Sequence, residues 1–267
     1  MIKLEGGLRT RGINKESSLD FPLVSIITVV FNGDRFLDET IQSVCAQTYR
    51  NIEYILIDGG STDSTLDIVE ANNLKIDYWI SESDGGIYDA INKGISLCSG
   101  DIIKLINADD RLTVDSVKLA VSKYKEMLPK AEEFIIYGYL DIINAASEVI
   151  GLGSEKSLIK YFDSFLHPSW YVPAVIYKRY GPYSLNYSIS SDYEYYLRLK
   201  SQGVSMATIE TPLAQYRKRG VSGGLSGVPQ VFTINNLYFG LPRALYVAFF
   251  MAAIKVLGKL RRRILRK

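Results

Sequence analysis

The chain has 267 residues, of which 47% are hydrophobic and 22% charged, with 31 Lys and Arg against 29 Asp and Glu and a formal net charge of +2. This is the composition of an ordinary globular protein with room for one large domain and an appendage. Its two cysteines, Cys45 and Cys98, exclude a disulfide framework and a cysteine-built metal site, so a reducing cytosol is the simplest compartment. Residues 1 to 21 hold no apolar signal segment and read as a mobile N-terminal arm. Val24 to Val30 (VSIITVV) is then a buried-strand run, and Phe36, Leu37, Ile41, Val44 and Cys45 follow at helical spacing. Ile52 to Asp58 predicts a second strand, ended by Gly59 and Gly60, with Ser61 or Thr62 placed to cap a helix carrying Leu66, Ile68 and Val69. Ile76 to Ile80 predicts a third strand. Gly85 and Gly86 break it, and Ile87, Ala90, Ile91, Gly94, Ile95 and Cys98 outline a helix. Ile102 to Ile106 predicts the central strand, a Thr113-capped helix follows it, and Phe134 to Leu140 predicts another strand. This rhythm implies an α/β fold, with a mostly parallel sheet, right-handed crossovers and helices on both faces.

The central strand ends in Asn107, Ala108, Asp109 and Asp110. Carboxylates at the C-terminal edge of an open α/β sheet sit where ligands bind, and could hold a divalent cation on phosphates; an acidic turn capping the next helix is the plain alternative. A dinucleotide-binding domain would need Gly-x-Gly-x-x-Gly after the first strand, where this chain has Phe31-Asn32-Gly33-Asp34. Neither a Walker lysine loop nor a Gly-x-Ser-x-Gly elbow occurs, so nucleotide hydrolysis and serine-hydrolase chemistry are not expected. Charge is divided sharply along the chain. All 29 acids lie in residues 1 to 210 beside twenty Lys and Arg, whereas the last 57 residues carry eleven cations and no acid. Such a tail calls for an anionic partner.

Several segments together resemble the family 2 glycosyltransferases. They are Asn32, Gln47-Thr48-Tyr49, Asn51-Ile52-Glu53, Asp58-Gly-Gly-Ser-Thr-Asp63, Asp84-Gly-Gly-Ile-Tyr-Asp-Ala-Ile-Asn-Lys-Gly94, Ser99-Gly100-Asp101, Asn107 to Asp110 and Ser191-Asp192-Tyr193-Glu194. The resemblance covers roughly residues 22 to 225, and each motif is weak alone. It implies a nucleotide-sugar-binding GT-A fold over residues 22 to 227. Asp58 is then expected to accept a hydrogen bond from the uracil of a UDP-sugar, Asn32 and Phe31 to close the other wall, and Asp84 to contribute to the nucleoside pocket. Asp109 is expected to hold Mn²⁺ or Mg²⁺ on the diphosphate with Asp110 in support, while Asn107, in place of the usual first Asp, and Ala108 border the donor. Ile91 stands where many relatives carry arginine, which leaves Lys93, Arg217, Lys218 and Arg219 as candidate cations.

Transfer of a sugar to a hydroxyl needs a carboxylate within about 3 Å of the acceptor proton. By resemblance that base is Asp192, at the start of a helical pattern through Leu199, and direct attack inverts the anomeric carbon. His167 is a candidate for the diphosphate or acceptor. Trp170 is a candidate for stacking on sugar or for the core, and Tyr171 to Tyr177 reads as a strand. Residues 228 to 267 predict a basic amphipathic segment for membrane association or oligomerisation. The apolar run from Ala244 to Ile254 is about half the length needed to span a bilayer. With the cations after it, the run suits the anionic cytoplasmic face of the inner membrane, with a homo-oligomer as the other option. Little aromatic interleaving occurs among those cations, so nucleic acid is not expected. The function expected is metal-dependent, inverting transfer from a nucleotide sugar to a glycan or lipid-linked acceptor for cell-surface polysaccharide. A catalytically weakened nucleotide-sugar-binding protein and a sugar-phosphate nucleotidylyltransferase are the alternatives.

Overall fold

The computed structural model describes residues 3–131, 133–153, 167–217 and 225–264. Its N-terminal arm is anchored. Leu4–Gly6 forms β1, an antiparallel edge strand with Leu4 opposite Ser81, and Arg9 Nη1 donates to the Leu97 carbonyl at 2.8 Å. The hydrophobic runs form the strands expected of them. They are β2 (Val24–Val30) and β3 (Ile52–Asp58), buried at every residue, then β4 (Tyr78–Ser81) and β5 (Ile102–Asn107). These four are mutually parallel in the order β4-β3-β2-β5. Between them run α1 (Leu37–Cys45), α2 (Thr65–Ala71) and α3 (Ile87–Leu97).

Beyond β5 the sheet becomes mixed. A short β6 (Arg111–Leu112) precedes α4 (Ser116–Met127), β7 (Phe134–Ile143) and β8 (Val149–Gly153), which pairs with β7 alone. The strand expected over 171 to 177 is only three residues long, β9 (Tyr171–Pro173), and the chain turns at once into α5 (Ala174–Tyr180). Pro173 cannot donate to a ladder, and its fixed φ suits the residue before a helix. Next come α6 (Ser191–Ser201), β10 (Ser205–Arg217), α7 (Val228–Phe239) and α8 (Leu241–Ile264). β10 runs parallel to β7, which places its last residue, Arg217, beside the end of β5.

Side chains alternate across the sheet and build a core on each face. Ile26, Val30 and Leu56 pack with Leu37, Ile41, Val44, Val69 and Val117 on one side. Ile27, Val29, Ile55 and Ile57 pack with Ala90, Ile91, Ile176 and Tyr195 on the other. Gly94 brings α3 down onto this second face, since a Cβ there would lie 2.6 Å from Ile27 Cγ2. With both faces covered, only the strand ends are left to form a site, and the parallel strands all present their C-terminal ends on one side.

Candidate active site

At that edge the chain leaves β2 through Phe31 and Asn32. Asn32 adopts φ +49°, a left-handed conformation that asparagine tolerates better than most residues, and it is fastened to the loop after β3. Its amide N–H donates to Ser61 Oγ at 2.7 Å, its Oδ1 accepts from Thr62 N at 2.8 Å, and Gly33 N donates to Thr65 Oγ1 at 2.9 Å. Two loops from neighbouring strands thus form one wall. Asp58 braces that wall from behind: its carboxylate is fully buried and accepts from Ser61 N, Ser61 Oγ and Ser81 Oγ. Asp58 therefore does not line the cavity as the sequence suggested. Both its oxygens are taken by serines on its own loop and on β4.

The carboxylate that does reach this wall is Asp84. A Cβ on Gly59 would lie 2.5 Å from Asp84 Oδ2 and 3.4 Å from the Phe31 ring, so the absence of a side chain at 59 makes room for Asp84. Asp84 Oδ1 accepts from Gly86 N at 2.8 Å, which fixes the orientation of the carboxylate.

The turn after β5 separates its two acids. Asp109 lines the cavity, and burial raises its pKa while the Arg217 guanidinium works in the opposite direction. Asp110 is not among the residues that line the cavity. It is fully buried, its Oδ1 accepts from Arg217 N at 2.8 Å, and its carbonyl accepts from Thr40 Oγ1 at 2.7 Å. Burial, assisted by the neighbouring Asp109, pushes the Asp110 pKa up to about 8. Asp110 thus serves the turn, not the cavity. Arg217 holds the same turn from outside, donating through Nε to the Asp109 carbonyl at 2.9 Å and through Nη2 to Glu39 at 3.0 Å.

Opposite lies the N-terminus of α6. Asp192 Oδ1 accepts from Tyr193 N at 2.8 Å and from the Tyr88 hydroxyl at 3.0 Å, which leaves Oδ2 for a ligand. Burial, then the Asp192 charge, raises the Tyr88 pKa, so the phenol stays a donor. Asn92 fixes the approach to this helix by pairing both side-chain polar atoms with the backbone of Tyr183, at 2.8 and 2.9 Å. The segment just before Asp192 is clamped from α7: Gln230 Oε1 accepts from Ile189 N and Ser190 N at 3.0 and 3.1 Å. His167 Nε2 lies 2.8 Å from Tyr183 Oη, and burial lowers the imidazole pKa toward the neutral form. Trp170 is buried at 2% exposure and is a core residue.

Together these elements enclose a cavity of about 910 Å³ that Phe31, Asn32, Asp84, Asn107, Ala108, Asp109, His167 and Asp192 line. Lys93 is absent from its wall, being paired with Glu82 at 2.6 Å. Lys218 and Arg219 lie outside the described residues. Arg35 supplies the only Lys or Arg among the described residues of the wall. No role attaches in the sequence to Arg35, or to Tyr88, which stands within the Asp84 to Gly94 motif without being singled out.

The donor set bears on the cation. No group of three His, Cys, Asp or Glu arranged for a metal occurs among the described residues. Asp109, with the Asn107 amide beside it, instead fits a magnesium-like ion held by one carboxylate and completed by substrate phosphates.

Residues 25–131 match the profile described as glycosyl transferase family 2. An uncharacterized glycosyltransferase of Mycobacterium tuberculosis is 32% identical over 210 residues, which cover 75% of this chain and 77% of that protein. A PGL/p-HBAD biosynthesis glycosyltransferase of Mycobacterium bovis is 30% identical over 182 residues, covering 66% and 69% of the two chains. Among solved structures, residues 1–349 of Staphylococcus aureus TarS in complex with UDP-GlcNAc share the fold with a TM-score of 0.63 and 16% identity, over 86% of this chain and 71% of that one. Against the longer TarS chain the match spans 43% of its length.

Proposed function

Since the chain belongs to glycosyl transferase family 2, we propose that it moves a sugar from a nucleotide diphosphate donor, a UDP-sugar, to a hydroxyl of a glycan or lipid-linked acceptor in cell-surface polysaccharide synthesis, with inversion. The observation that carries this is a single cavity with Asp84 and Asp109 on the sheet edge and Asp192 on the opposing helix. In this reading Asp84 accepts the N–H of the base. The exposed Phe31 ring lies against its face, and Asn32 shapes the same wall. Asp109 and Asn107 would hold the divalent cation, Mn²⁺ or Mg²⁺, which when bound offsets charge on the departing diphosphate. The Arg35 guanidinium reinforces that from the protein itself.

Asp192 Oδ2 takes the proton of the acceptor hydroxyl. The freed oxygen pair bonds to the anomeric carbon while the bond to the distal phosphate oxygen breaks, and UDP leaves with that electron pair. Attack from the side opposite the diphosphate inverts the carbon, and no group of the protein becomes covalently attached. Neutral His167 borders the cavity as a hydrogen-bonding group that adds no charge.

The purified protein, given a panel of nucleotide sugars with Mn²⁺ or Mg²⁺ and candidate acceptors, should release UDP and form product of inverted anomeric configuration. Asp192→Asn should lower kcat by about 10²–10⁴ with donor KM nearly unchanged. Tight UDP binding without hydrolysis or transfer of any donor would support the weakened binding protein instead.

A further inference from the structure

The C-terminal helices carry more apolar surface than their packing uses. In α8, Ala244 and Val247 are buried, at 0% and 2% exposure. On the outward side Leu241, Leu245 and Phe249 recur every four residues at 54%, 55% and 75% exposure, and Leu237 at the end of α7 adds 69%. A helix with two apolar faces has a second partner to meet. The same helix continues to Ile264. Its sequence there holds Lys255, Lys259, Arg261, Arg262 and Arg263, and no acid follows Glu210.

We propose that the outward face of α8, with Leu237, docks on an anionic lipid bilayer, lying in the interface. Charge selects this occupant. The face runs on into a basic segment that holds no acid, which anionic lipid neutralises and the same segment of a second copy does not. Length and polarity agree, because no described helix is long and apolar enough to cross a membrane. The docked element is also joined to the cavity: α7, against which α8 packs, holds Ile189 and Ser190 through Gln230 and Tyr193 through Asn235. If Asp192 is the base, as proposed above, the bilayer is thereby fixed relative to the acceptor side of the cavity.

Flotation of the full chain with vesicles tests the docking without reference to activity. The protein should float with phosphatidylcholine vesicles containing phosphatidylglycerol, release at high salt, and remain behind with phosphatidylcholine alone. Replacing Arg261, Arg262 and Arg263 together by Gln should weaken partitioning on the order of 100-fold. The double variant L245E/F249E should abolish it, with an unchanged thermal melt showing that the body still folds. Equal binding to neutral vesicles, or full binding by the triple Gln variant, overturns the proposal. So does a dimer that L245E/F249E dissociates while the wild type never floats.

Discussion

At Gly59 a single methyl group would reshape the cavity. Its backbone accepts an alanine conformation, but the new Cβ would fall 2.5 Å from Asp84 Oδ2. That atom ends a side chain that can swing away. Gly59→Ala should therefore raise donor KM severalfold while the melting temperature hardly moves; loss of folding instead would mean that the space is needed by the backbone. Tyr88 offers a second test on the other wall. Its hydroxyl donates to Asp192 Oδ1. Tyr88→Phe should lower kcat severalfold with donor KM and the melting temperature nearly unchanged, because the carboxylate loses the group that orients it. A lowered melting temperature with unchanged kcat would assign Tyr88 a purely structural role. The places of Asp109, just beyond a strand end, and of Asp192, in a first helical turn, were legible in the sequence because both are local features, while the roles expected of them came from the family resemblance. Asp58 was expected in the pocket from the same resemblance; its serine partners, Ser61 on its own loop and Ser81 across the sheet on β4, are what hold its carboxylate behind the wall.

At the scale of elements, β5 contains an unusual ionisable group. Lys104 is fully buried in the strand; its Nζ donates to the Pro168 carbonyl and sits 4.9 Å from the Tyr171 ring. Burial pulls its pKa from 10.5 down to about 7, with Asp110 opposing. Between about pH 7 and 10.5 the unfolded chain consequently binds more protons at this position than the folded one. Below that window the folded chain bears the full cost of the buried charge; the cost is relieved as pH rises through the window, where only the unfolded chain keeps the proton, and the rise in stability ends near 10.5, where that proton is lost too. Chemical denaturation across this range should show the rise in the wild type and a flatter dependence in Lys104→Met. Arg217 works on the neighbouring turn, joining the end of β10 to Asp109, Asp110 and α1. Arg217 is the last residue of that thirteen-residue strand, and the sequence offered it only as a candidate cation beside Lys218 and Arg219.

For the whole molecule, ligand linkage measures how the two walls cooperate. UDP should raise the melting temperature, with a further rise when Mn²⁺ is added, because binding to the folded state alone stabilises it by mass action. Asp109→Asn should keep the UDP effect and lose the Mn²⁺ increment. An increment that survives would move the cation away from Asp109.

Some of this was settled by the order of residues alone. Runs such as VSIITVV and IEYILID separated by helical patterns demand a layered α/β fold, since hydrophobic period and length are local properties. Phe31, Asn32, Asp84, Asn107, Ala108, Asp109, His167 and Asp192, all singled out in the sequence, line the cavity. What only the tertiary structure decided is which polar groups face that cavity and which hold it together. Asp58, Lys93 and Asp110 are engaged by Ser81, Glu82 and Arg217, while Arg35 and Tyr88 reach the wall. The physical reason is that a buried polar group takes whichever partner the packing of distant segments supplies, and no spacing along the chain records that choice.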